Sequence, residues 1–145
     1  MTHYAPLVVW ILVILGLGGQ IGSMNETSRF IRPLLEFLFP SASVETLQMY
    51  HGYIRKAAHL SEYAVLALLA VRAFAASSSQ VLSKYRYILA LLLVILIAST
   101  DEFKQSFEPS RTSSPLDSLL DIAGGIFALI AVYIVRKTRS RRIQK

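Results

Sequence analysis

The chain has 145 residues, of which 54% are hydrophobic, and it carries a formal charge of +6. This length suits one domain, residues 1–145, but the mean hydropathy of +0.50 is high for a soluble protein. The sequence contains no cysteine, which excludes disulfides, thiolate metal sites and cysteine nucleophiles. The composition therefore predicts an all-α, polytopic membrane protein.

Four apolar segments approach the roughly 17–25 residues that cross a bilayer core about 30 Å thick. They predict a small bundle of four transmembrane helices over residues 5–21, 57–76, 85–100 and 116–135, followed by a basic tail over 136–145. The first segment could instead be a signal peptide, but no charged region precedes it and residues 22–24 make a poor cleavage site. Gly18 and Gly22, four residues apart, are compatible with close helix contact.

Basic residues are distributed unevenly over the two sides that four spans create. The N-terminus, the turn between the second and third spans, and the tail carry nine basic residues and no acid. The other side carries the remaining six basic residues and all nine acids. The positive-inside rule therefore predicts that both termini are cytoplasmic. The tail suits anionic lipid headgroups, and without a binding fold it does not indicate nucleic-acid binding.

The connection between the first two spans is predicted to hold a short helix lying in the outer membrane interface. Its apolar residues run from Phe30 to Phe39, and we expect Pro33 and Pro40 to bound it. Ser43 is placed to cap a further helix that leads into the second span. This connection could be a lid over a site, but a plain cover over the mouth of the bundle is the simpler interpretation.

Ionisable residues begin the second span. Arg55, His59 and Glu62 follow an i, i+4, i+7 spacing and share one helix face, with Lys56 beside them. At about 1.5 Å per residue, Glu62 lies roughly 7–8 Å below residue 57. Ionisable groups within a membrane are costly and are functional candidates by default.

Further acids lie at the outer ends of the third and fourth spans. Asp101 and Glu102 follow the third span directly. Residues 114–115, Ser-Pro, predict an N-cap and first position for the fourth helix. Asp117 and Asp121 then lie on one face of that helix, one turn apart.

These charges allow a structural and a functional interpretation. They could pair with one another and fasten the helix ends, which buried charges require in any case. Capping alone would explain Asp117, and snorkelling to headgroups would explain Lys56. We favour a functional site, because one histidine and several acids converge where two ion pairs would have sufficed.

Two sequence blocks resemble the signatures of the VanZ-like family of bacterial membrane proteins. RKAAHLSEY, residues 55–63, matches an R-K-x-x-H-x-x-E-Y block that opens a transmembrane helix. DEFKQSFEPSR, residues 101–111, matches a D-E-x-x-Q-x-F-x-P-x-R block, which an acid and a glycine follow, here Asp117 and Gly124. With the four-span layout the resemblance covers about residues 5–135. Asp121 departs from it, since the family often has asparagine there.

The resemblance implies a multi-pass protein of the bacterial cytoplasmic (inner) membrane that serves the cell envelope. The namesake of the family is associated with low-level resistance to the glycopeptide teicoplanin. The resemblance supplies no reaction, so whether the chain is an enzyme stays open. One association in one member need not describe the other members.

The first functional hypothesis is a site that binds or acts on an anionic, lipid-linked envelope substrate. Cationic side chains would hold a phosphate or carboxylate, and a histidine oriented by a neighbouring acid would be the general base. The candidate catalytic residues are His59, Glu62, Asp101 and Glu102. The candidate substrate-binding residues are Arg55, Lys56, Gln105, Arg111, Asp117 and Asp121. A divalent cation is compatible with the nitrogen and oxygen ligands offered by His59, Glu62, Asp101, Asp117 and Asp121, but no compact ligand motif fixes a metal or another cofactor.

Two other hypotheses stay open. His59, Glu62 and Asp121 could relay protons in a small ion-coupled transporter, although the inner halves of the last three spans offer no partner beyond Arg72. The charged mouth could instead dock a partner in a non-catalytic envelope modulator. Membrane lipids are the expected partners in every case, and the sequence does not set the oligomeric state.

Overall fold

The computed structural model describes residues 2–19, 22–107 and 115–143, and every regular element in these ranges is helical. In chain order the elements are α1 (Ala5–Leu17), α2 (Met24–Leu38), α3 (Val44–Ala75), α4 (Gln80–Lys84), α5 (Arg86–Gln105) and α6 (Pro115–Ile143). The prediction of an all-α protein is thus confirmed for the described chain.

Two helices are long and apolar enough to cross a membrane: Val44–Ala75, which is the whole of α3, and Leu116–Ser140 within α6. α1 is apolar but has only 13 residues, or about 20 Å at 1.5 Å per residue. α5 has 20 residues, and charged side chains occupy both of its ends. Length and composition therefore single out two of the four predicted spans.

The predicted second span is the C-terminal part of one continuous helix of 32 residues. That helix begins after Ser43, whose Oγ accepts a hydrogen bond from the backbone N–H of Thr46 at 3.3 Å, as the sequence predicts. The predicted third span continues to Gln105, so Asp101 and Glu102 lie within α5 and not beyond it. The fourth helix begins at Pro115 as predicted, whereas Ser114 lies outside the described residues.

α1 ends four residues earlier than the predicted first span, at Leu17. Gly18 and Gly19 follow, and glycine has poor helix propensity. Close contact at Gly18 is present, but with a side chain: a Cβ there would overlap Oδ1 of Asp101. The end of α1 therefore packs directly on the acid of α5.

Pro33 lies inside α2 and does not bound it, so that sequence prediction is wrong. Ser23 caps the helix by accepting a hydrogen bond from the N–H of Glu26, and a helix of 15 residues retains enough other bonds to tolerate one proline. The outward face of α2 is apolar, with Phe30 81% and Phe37 82% exposed.

α3 is the central helix and packs against α6, α5 and α1. A Cβ on Gly124 of α6 would overlap the backbone oxygen of Leu60, so α3 and α6 meet backbone to backbone. On the next residue, Gly125, a Cβ would lie 2.7 Å from Cγ1 of Val94 on α5. Two consecutive glycines therefore let three helices converge.

Candidate functional site

A polar cavity of about 200 Å³ lies where α2, α3, α5 and α6 meet, at the end of the bundle that carries the acids. Met24 and Gly52 form part of its wall. It is also lined by seven of the ten candidate residues: Arg55, Lys56, His59, Glu102, Gln105, Asp117 and Asp121. Side chains from three helices therefore share one space, although they are distant in sequence.

An adjoining cavity of about 140 Å³ contains two more candidates, Glu62 and Asp101. Arg55 and His59 line both cavities, so they stand between them. Arg111 lies outside the described residues. Every described candidate thus lines one of two adjoining cavities, while the chemical role of each remains a prediction.

His59 is positioned next to an acid from another helix. Its Nδ1 lies 3.5 Å from Oδ1 of Asp121, and Asp121 is only 4% exposed. This distance suits an ion pair when the histidine is protonated. Sequence spacing singles out Glu62 as the acid that orients His59, and the structure adds Asp121 of α6 directly beside the ring. The close contact at Gly124, one turn further along α6, is what brings the two helices into range.

Asp101 is deeply buried, with 1% of its surface exposed. Nε2 of Gln105 donates a hydrogen bond of 2.7 Å to its Oδ2, one turn along α5, and Gly18 packs against the same carboxylate. A charge-assisted bond of this length is among the stronger ones in proteins. The hydrogen bond to Asp101 therefore holds the side chain of Gln105 in position, and Gln105 in turn lines the polar cavity.

Two contacts that sequence spacing did not reveal attach α1 to the site. Nε1 of Trp10 donates to the backbone oxygen of Glu62 at 2.9 Å, and Nζ of Lys104 donates to the backbone oxygen of Leu15 at 2.6 Å. The latter places a cation at the negative end of the α1 dipole. The partners lie 52 and 89 residues apart, so no periodicity within one helix could have indicated them.

His51 is a third contact residue that the sequence interpretation missed. It is 4% exposed, and its Nε2 lies 3.0 Å from Oγ1 of Thr27 on α2. The signal available was its position one turn before Arg55. Because α2 also contributes Met24 to the polar cavity, this hydrogen bond holds one wall of the cavity in place.

No group of three or more His, Asp or Glu side chains within residues 2–19, 22–107 and 115–143 is arranged to hold a metal ion. We therefore assign no metal ligands.

Two helices of membrane length, which both contribute to a cavity lined by charged side chains, suggest a small helical membrane protein. A family model described as VanZ/LLP1 matches residues 3–136, which is nearly the whole chain. The protein belongs to this family, as its two sequence blocks predicted. Searches among curated proteins and solved structures gave no match.

Proposed function

We propose that this VanZ-like protein is a cell-envelope protein of the bacterial cytoplasmic membrane with four transmembrane helices, α1, α3, α5 and α6. Apolar side chains that face outward support α1 and α5 as spans. Leu12 of α1 is 64% exposed, and Leu92 and Leu96 of α5 are 55% and 61% exposed. Soluble monomers rarely expose such continuous apolar surface. The charge distribution supports an orientation with both termini in the cytoplasm and the polar cavity at the outer leaflet.

Labelling of single cysteines tests this topology, and the native chain offers no competing thiol. Ser43→Cys and Ser106→Cys are expected to react with a membrane-impermeant maleimide in intact spheroplasts. Ser78→Cys and Thr138→Cys are expected to react only after the membrane is permeabilised. Labelling of all four in intact spheroplasts, or of the second pair alone, would contradict the proposed orientation.

We infer that the polar cavity binds an anionic, lipid-linked envelope substrate. The observation that carries this inference is the mixed lining of the cavity: Arg55 and Lys56 share it with the carboxylates of Glu102, Asp117 and Asp121. Cations of this kind bind phosphate, and carboxylates accept hydrogen bonds from hydroxyl groups. In a phosphate attached to a hydroxyl-rich headgroup, the phosphate would bind the cations and the hydroxyl groups would donate to the carboxylates. A bare anion would bind the cations but would be repelled by the carboxylates.

His59 is the group best placed for chemistry on a bound headgroup. Its ring is half-buried at the junction of the two cavities, and Asp121 stabilises the protonated form that a general base acquires. Glu62 and Asp101 add carboxylates to the adjoining cavity, which His59 also lines. We propose that His59 takes a proton from a substrate hydroxyl or a water, with Asp121 holding the ring.

The proposed binding is tested with polyprenyl phosphate added to the protein in lipid nanodiscs. Arg55→Gln is expected to weaken binding by about tenfold or more, since a hydrogen bond to a charged group contributes about 1.5–3 kcal/mol. Arg29→Gln is the matched control, because Arg29 pairs with Glu26 on α2 and its side chain is 71% exposed. Equal loss in both variants, or none in either, would contradict a specific anion site.

The role of His59 is tested in cells by replacing His59 with Gln and, separately, Glu62 with Gln. We expect teicoplanin tolerance, or another envelope phenotype of the wild type, to be lost while folding and abundance stay normal. Loss of abundance would instead indicate that these side chains fasten the helices. Wild-type behaviour of both variants would leave docking by a non-catalytic modulator as the better interpretation.

An ion-coupled transporter is less well supported than a substrate site. A relay needs ionisable groups along the whole path. Between residues 63 and 71 of α3, 87 and 100 of α5, and 122 and 135 of α6, the sequence has no acidic or basic side chain. The ionisable groups of the polar cavity therefore lie near one side of the proposed membrane only, and no path of such groups leads to the other side.

A further inference from the structure

We propose a binding site for an anionic phospholipid at the opposite, basic end of the bundle, in a groove between α5 and α6. The groove has a volume of about 340 Å³ and an apolar lining. Tyr87 and Leu91 form its α5 side, and Ile126, Ile130 and Tyr133 form its α6 side. From Tyr133 to Ile126 the groove extends about 10 Å along α6 at 1.5 Å per residue, which suits the first half of an acyl chain.

Two cations flank an aromatic pair at the end of this groove. The rings of Tyr87 and Tyr133 meet edge to face with centroids 5.8 Å apart. Cζ of Arg86 lies 5.2 Å from the Tyr87 centroid, and Nζ of Lys137 lies 5.7 Å from the Tyr133 centroid. The stacking holds one cation from each helix against a tyrosine that lines the groove, without using a carboxylate.

The charge of this end of the bundle identifies the occupant. Residues 63–100 and 122–145 contain no acid, so no side-chain carboxylate at this end of the bundle competes with a phosphate for Arg86 and Lys137. Basic pockets between transmembrane helices are suited to anionic lipid headgroups. A second copy of the chain is the weaker candidate, because a twofold axis along the membrane normal would bring the same basic ends together.

The proposal is independent of the polar cavity. Arg86 begins α5 and Gln105 ends it, so the two sites lie about 30 Å apart along this helix of 20 residues. A negative binding result at one of the two sites therefore does not bear on the proposal for the other.

The test is a titration of the full-length protein in detergent, followed by native mass spectrometry. The probes are phosphatidylglycerol and phosphatidylethanolamine with identical acyl chains. We expect phosphatidylglycerol to bind about tenfold more tightly, and the double variant Arg86→Gln, Lys137→Gln to lose that preference. Arg139→Gln is the matched control for the single variant Lys137→Gln, because each removes one positive charge and the two residues lie on different faces of α6.

Two further variants keep the result interpretable. Nη1 of Arg86 also donates to the backbone oxygen of Ser83 at 3.0 Å, so the double variant loses this hydrogen bond as well. The single variant Lys137→Gln keeps the bond and therefore tests lipid binding alone. It is expected to lose part of the preference with unchanged thermal stability. Equal binding of both lipids by the wild type would overturn the proposal, as would unchanged preference in the double variant. A disulfide between two Ile130→Cys copies in the membrane would also overturn it.

Discussion

Replacing Gly124 with alanine is expected to destabilise the protein by about 1–3 kcal/mol, the usual cost of overpacking. The new Cβ would overlap the backbone oxygen of Leu60 and lie close to its Cα. Backbone atoms on both sides cannot rotate away, so α3 and α6 must separate. The pair formed by His59 and Asp121 lies one turn from this contact, and its distance of 3.5 Å would increase as well.

Gly16→Ala is the matched control for this prediction. Gly16 lies inside α1, and a Cβ there meets nothing within 4 Å. The same substitution should therefore stabilise α1 by about 0.5–1 kcal/mol, the ordinary gain from alanine in a helix. Thermal unfolding in a mild detergent measures both variants. Changes of the same sign would show that the backbone contact at Leu60 is not decisive.

Replacing Gln105 with leucine is expected to be the second large perturbation, with a cost of about 1–3 kcal/mol or more. The substitution removes the amide donor from Oδ2 of Asp101 and sets an apolar side chain beside a carboxylate that is 1% exposed. Both the unfolding midpoint and the binding of polyprenyl phosphate should fall, because Gln105 also lines the polar cavity.

Asp101→Asn provides the comparison, since it keeps the shape and an accepting oxygen but removes the charge. Introduced into the Gln105→Leu protein, it should restore part of the lost stability, because a neutral amide is cheaper to leave buried than a carboxylate. A double-mutant cycle measures this coupling. Purely additive effects would mean that the hydrogen bond of 2.7 Å does not hold Asp101 and Gln105 together.

The sequence predicts much of this fold because helices leave local signals. Apolar run lengths indicated the positions of α1, α3, α5 and α6, and Ser43 indicated the start of α3. Boundaries were less predictable: Gly18 and Gly19 end α1 early, and Pro33 is tolerated within α2. The early end of α1 follows from the poor helix propensity of glycine together with the packing of Gly18 on Asp101, and Pro33 is tolerated because the rest of α2 keeps its hydrogen bonds.

Sequence spacing predicted the relative positions of the site residues only where they share a helix. Spacing placed Arg55, His59 and Glu62 on one face of α3, and the structure finds them around adjoining cavities. The spacing could not show that Asp121 lies beside His59, because this depends on how closely α6 approaches α3. The attachment of Trp10 to the backbone of Glu62 was equally inaccessible, because it joins residues 52 positions apart.

The unbroken length of α3 sets the depth at which the site operates. At about 1.5 Å per residue its 32 residues extend roughly 48 Å, well beyond a hydrocarbon core of about 30 Å. In the proposed orientation, with Ala75 at the inner boundary of the core, His59 lies about 24 Å from that boundary and about 6 Å below the outer one. A lipid-linked substrate could thus present its headgroup to His59 while its tail stays in the leaflet. The protein would avoid the cost of extracting a lipid chain, about 0.8 kcal/mol for each CH₂ group drawn into water.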